Sequence, residues 1–122
     1  MKLSIQEKIE SQNKFNNRRG IGAQFAYRKY RDNWKEQIMV ALPLGARNSH
    51  GDNRFMVTIT SYRSRLLDKG NLYGGSKPIL DALIHFGVIR DDSPKWCEEE
   101  VKQVKCARKD EKTEIEVIRI SE

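Results

Sequence analysis

Apolar residues alternate with polar ones in the opening "KLSIQEKI", where Leu3 and Ile5 point to a short strand. The next stretch, "SQNKFNNRRGIG", is rich in Asn, Arg and Gly and is expected to be a loop. From about Gln24 to Leu42 the spacing changes to three and four, with Tyr27, Tyr30, Trp34, Ile38 and Ala41 on one helical face. Arg28, Arg31 and Lys35 fall on the opposite face, and Pro43 and Gly45 end the helix. After the turn cluster "ARNSHGDN", the β-branched, alternating "RFMVTITSYRSRLL" predicts a central strand that runs out at Asp68. A second helix is expected to begin near Ser76, a good N-cap, with Pro78 tolerated in its first turn. Its buried stripe is Ile79, Leu80, Leu83 and Phe86, and Gly87 supplies the stop. "VIRDDSPKW" is an extended piece turning at Ser93-Pro94. Two closing strands, about 98–107 and 113–120, are expected to pair as a hairpin around "RKDEK". The predicted order is β-α-β-α-β-β, an α+β fold with two helices packed on a mixed sheet.

Composition narrows the class. A chain of 122 residues suits a single domain with one modest core. No apolar run approaches the roughly 18 residues of a membrane span. "MKLSIQEKIE" lacks the apolar centre of a secretory signal, so a cytoplasmic location is expected. The two cysteines, Cys97 and Cys106, form no zinc pattern with His50 and His85. The net charge is +6, which favours a polyanionic partner such as DNA or RNA. Lys14, Arg18, Arg19, Arg28, Lys29, Arg31 and Lys35 face only Asp32 between residues 14 and 35, whereas acids gather in "CEEE" and "KDEKTEIE".

Three features in the middle of the chain carry candidate chemistry. Asp68 lies where a strand ends, and Asp91-Asp92 lies just beyond the following helix. A strand–helix–return path could bring these carboxylates to one sheet edge, where hard oxygen ligands suit Mg²⁺. Lys77 would then sit at a helix start, a poor place for an isolated cation but a good one beside acids or a phosphate. Gly74 and Gly75 would let backbone approach that phosphate. Each feature also has a plainer account: Asp68 and Asp91-Asp92 as turn formers, Gly-Gly as a hinge, and Lys77 paired with Asp81 four residues on.

The segment "LDKGNL…SKPILDALIHFGVIRDDSPKW", residues 65 to 96, resembles the core of the RusA-type Holliday junction resolvases. The family's pattern is Asp-x-Asp-Asn-Leu, a Lys and an Asp-Ala-Leu on one helix, then Gly and an Asp-Asp pair. The "SQNK" loop, the basic first helix and the closing strands are similar too. The resemblance implies a homodimeric nuclease that nicks four-way DNA junctions symmetrically with Mg²⁺ or Mn²⁺. It also implies roles: Asp68, Lys77 and Asp92 in catalysis, with Asp68, Asp91 and Asp92 around the metal. Asn13, Lys14, Arg18, Arg19, Arg28, Arg31, Arg63, Arg65 and Asn71 become candidates for DNA contact. One position departs from the pattern: Gly70 stands where the motif has its second aspartate. Asp91, the Asn71 side chain or a water could make up the ligand set; alternatively, the chain binds junctions without cutting them. A small RNA- or protein-binding domain whose acids are only turn residues is the third alternative.

Overall fold

Strand β2 (Arg54–Arg63) organises the molecule, because it carries partners on both sides. The computed structural model describes residues 1–16 and 21–120. In chain order the other elements are β1 (Lys2–Ile5), α1 (Asn13–Asn16), α2 (Ile21–Ala41), α3 (Lys69–His85), β3 (Cys97–Lys105), a 3₁₀ turn (Arg108–Asp110) and β4 (Lys112–Ile120). The sheet order is β1-β4-β2-β3. β2 pairs with β3 in parallel and with β4 antiparallel, while β1 closes the other edge antiparallel to β4. The architecture is therefore α+β, three helices packed against a four-stranded mixed sheet.

Alternation sends Val57 and Ile59 of β2, Ile115 and Val117 of β4, and Leu3 and Ile5 of β1 toward the helices. Trp34 and Ile38 of α2 and Leu72, Ile79, Leu80 and Leu83 of α3 complete that core. The spacing that predicted α2 thus holds, as does the stop at Gly87, whose backbone is left-handed at φ +71°. The opposite sheet face carries charged and polar side chains, including Lys2 against Glu114 at 3.1 Å.

Four expectations are corrected. The closing strands do not form a hairpin: β2 lies between β3 and β4. The link through residues 106–111 crosses the end of β2, held by Cys106 N–H to the Arg63 carbonyl (3.0 Å) and by Ser64 N–H to Glu111 (2.9 Å). The expected loop at "SQNKF" contains the short helix α1. β2 ends at Arg63 rather than at residue 67. Most consequentially, the helix expected from Ser76 begins at Lys69, so Lys77 and Pro78 lie inside it. Gly74 and Gly75 sit within α3 because the chain between Ile9 and Gln12 packs on them; a Cβ on Gly75 would collide with the Glu10 carbonyl. These glycines make room for protein, which accounts for them without a phosphate. Tyr30 ties the three segments together, accepting from Glu10 N–H (3.0 Å) and donating to the Gly75 carbonyl (2.6 Å). Burial pushes the Tyr30 phenol up to about 12, so it keeps the proton it donates.

Candidate functional site

The β2–α3–β3 unit positions the candidate residues. Gln103 of β3 holds the turn before α3 by accepting from Leu67 N–H (3.0 Å) and donating to the Leu67 carbonyl (2.7 Å). Asp68 follows as the N-cap of α3. One carboxylate oxygen accepts from Asn71 N–H (2.9 Å) and the other from the Asn71 side-chain amide (2.7 Å). These bonds hold the Asp68 carboxyl below the usual range. The Asn71 side-chain Oδ1 accepts from Asn13 N–H (2.9 Å), so Asn71 is spent fastening the N-terminal segment to the start of α3. Asp68 is thus a helix cap, where the sequence offers a metal ligand or a turn former.

Two and a half turns further along α3, Lys77 stands about 13 Å up the axis from Asp68, and around it a different group converges. Tyr73, Lys77 and Leu80 of α3, Asp92 of the following loop and Glu99 of β3 line a small cavity of about 100 Å³. Lys77 and Asp92 therefore line one cavity, whereas Asp68 is not among the lining residues. Asp91 is exposed beside Asp92 and does not line the cavity either. Glu99 is the residue that sequence reasoning missed. Its Oε2 is buried and has no hydrogen-bond partner. The signal lay in β3: Cys97 faces inward, Glu98 outward, and so Glu99 inward again. The charges that meet here are felt by their neighbours. Within hydrogen-bonding reach, Glu99 pushes the Tyr73 phenol above its ordinary value. Burial first, then the charges of Glu99 and Asp92, push the Cys97 thiol up to about 11. Partial burial raises the Asp81 carboxyl, with Asp92 adding to the rise, while Lys77 and Arg31 pull it back. Among the described residues, Lys77 has no carboxylate within 4.0 Å and no group of three or more His, Cys, Asp or Glu converges for a metal.

The expected DNA contacts divide. Arg28 and Arg65 are exposed, and Lys14 pairs with Glu10 at 3.5 Å on the surface. Arg31 is half-buried between Asp32, 3.6 Å away, and the α3 side, so it does not share the fully solvated face predicted for it. Arg18 and Arg19 lie outside the described residues. Arg63 is corrected outright. It is only 4% exposed, and its guanidinium donates to the carbonyls of Ile9 (2.7 Å) and Arg65 (2.7 Å). It follows Val57, Ile59 and Ser61 on the inward side of β2, so strand alternation forbids it a surface role. Arg63→Met should lower stability by about 2–3 kcal/mol, because both carbonyls lose a charged donor in a buried setting. Urea unfolding of Arg63→Met against the exposed control Arg65→Met measures this; equal midpoints would contradict the buried role.

Compared with protein-family models and with curated proteins, the chain matches none. No helix among the described residues is long and apolar enough to cross a membrane.

Proposed function

We propose that this chain is a divalent-metal-dependent endodeoxyribonuclease of the RusA type, acting on four-way or other branched DNA. One observation carries the reading: Lys77, Asp92 and Glu99 line a single small cavity, and Glu99 presents a buried oxygen with no partner. An unpartnered buried carboxylate oxygen is costly, and a cation would satisfy it. Two carboxylates suit Mg²⁺ or Mn²⁺, which keeps several waters and takes further oxygens from a phosphate. Asp92 and Glu99 would hold the ion, so Glu99 replaces the carboxylate that Gly70 lacks, while Asp68 shapes the helix start. The bound ion would supply an activated water and charge neutralisation at the phosphodiester. Lys77, projecting from the same helix wall, places an ammonium where phosphate charge must be met. The surplus of cations on α2 favours a polyanion, and the two-fold symmetry of a junction favours a homodimer. A cytoplasmic setting belongs to the same reading.

The test is incubation of a synthetic four-way junction with the protein and Mg²⁺ or Mn²⁺. Paired nicks near the branch point are expected, and none in EDTA. A second reading, a junction-binding relative without catalysis, is favoured by Gly70 and by the lack of a three-carboxylate group among the described residues. Gly70→Asp separates the two. The site has room for it, since the nearest atom to a Cβ there is Asp68 Oδ1 at 3.8 Å. A binding-only chain should gain cleavage from this change, and a nuclease already supplied by Glu99 should gain little.

A further inference from the structure

The loop that brings Asp92 to α3 carries Trp96 at its other end, outside the cavity. Phe55 N–H donates to the Trp96 carbonyl (3.0 Å), so this residue extends the β2–β3 ladder by one step. Its half-buried ring lines a cleft of about 410 Å³ at the end of the sheet, together with Arg54, Lys95 and Arg119. The Arg90 guanidinium lies 4.4 Å from the ring centroid and the Lys95 ammonium 5.2 Å from it. A single cation beside a tryptophan is common in proteins. What distinguishes this place is its charge accounting. Arg54 is held by Glu98 and Arg90 by Asp52, each at 2.8 Å. Lys95 and Arg119 have no carboxylate within 4.0 Å among the described residues. Two cations without a carboxylate partner among the described residues therefore flank a partly exposed indole in one concave site, Lys95 resting over its ring.

We infer that this cleft binds an unpaired stretch of a DNA strand, with Arg119 and Lys95 meeting phosphates and a base stacking on Trp96 in the place that the Lys95 ammonium leaves. Cationic grooves that carry an aromatic platform are how proteins hold single strands without reading their sequence. A paired duplex buries its base faces and would use the cations alone. The inference rests on DNA being the partner, and it adds a place for the unpaired nucleotides that a branch point exposes.

The experiment uses the whole chain in EDTA and a dye-labelled oligothymidylate of about twelve nucleotides, and reads binding from the anisotropy of the dye and, for chains that keep Trp96, from tryptophan emission. Trp34 is fully buried, so quenching on binding reports Trp96. Saturable quenching is expected. Trp96→Ala should weaken binding roughly tenfold. Lys95→Glu and Arg119→Glu should each weaken it and flatten its salt dependence. Lys109→Glu, in the 3₁₀ turn at the opposite end of the sheet, should change it little. If the oligonucleotide or a four-way junction binds while Trp96→Ala and Arg119→Glu bind as the wild type does, the cleft is not the site, yet DNA remains the partner. If oligonucleotide, duplex and junction all fail to bind, the cleft and the DNA reading fall together.

Discussion

Glu99→Gln should slow junction nicking by roughly a hundredfold or more while leaving the fold and junction binding in EDTA intact. The amide keeps the shape of the side chain but removes half of the anionic charge contributed by Asp92 and Glu99. Because Oε2 has no protein partner, the substitution breaks no hydrogen bond made by that oxygen. Stability should therefore change little, and the loss should sit in cleavage and in metal dependence. Asp92→Asn should give the same phenotype, and the two together should cost little more than either alone, since a metal pair acts as a unit. Asp68→Asn is the informative contrast. Its carboxylate caps α3 and does not line the cavity, and asparagine is also a good N-cap. Cleavage rates across a Mn²⁺ titration decide the matter: Asp68→Asn as damaging as Glu99→Gln would return the metal to the strand end and overturn the assignment to Glu99.

Gly75→Ala should destabilise the protein by about 3 kcal/mol, enough to lower the thermal midpoint by roughly 10 °C. The added methyl would collide with the Glu10 carbonyl and press on Ile9, whose side chain is fully buried in the core. Backbone on both sides leaves little room to yield. Helix propensity pulls the other way by up to about 1 kcal/mol, so the sign of the result decides between packing and intrinsic preference. Gly22→Ala in α2 is the control, with nothing within 4 Å of the new methyl, and should be neutral or slightly stabilising. Denaturant unfolding of both variants measures the difference. A Gly75→Ala midpoint at or above that of the wild type would mean the N-terminal segment does not pack on α3 as described, and the whole start of α3 would need another explanation.

The same contact explains why α3 was half legible. From Ser76 onward the stripe of Ile79, Leu80 and Leu83 marks a buried helix face, and that part was read from periodicity. Upstream, Gly74, Gly75 and Pro78 look like a turn and a first-turn proline, so Lys77 looked like a helix start. Local preference for Gly and Pro is worth a kcal/mol or a few, and burial of Leu72 together with the Asp68 cap outweighs it. Arg63 and Glu99 were missed for a different reason. Each sits among charged neighbours that look solvated, and only the strand's alternation, once its register against buried positions is known, turns them inward.

The period of the apolar residues determined the strands, the long helix α2, the stop at Gly87 and the mixed α+β character, because these depend on neighbours within a few positions. The pair Lys77 and Asp92 came from the family resemblance and not from periodicity. Tertiary structure alone decided that β2 divides β3 from β4, that α3 starts at Lys69, and that Glu99 rather than Asp68 joins that pair. These depend on which distant segments touch, and contact energies between residues far apart in the chain leave no periodic trace in it.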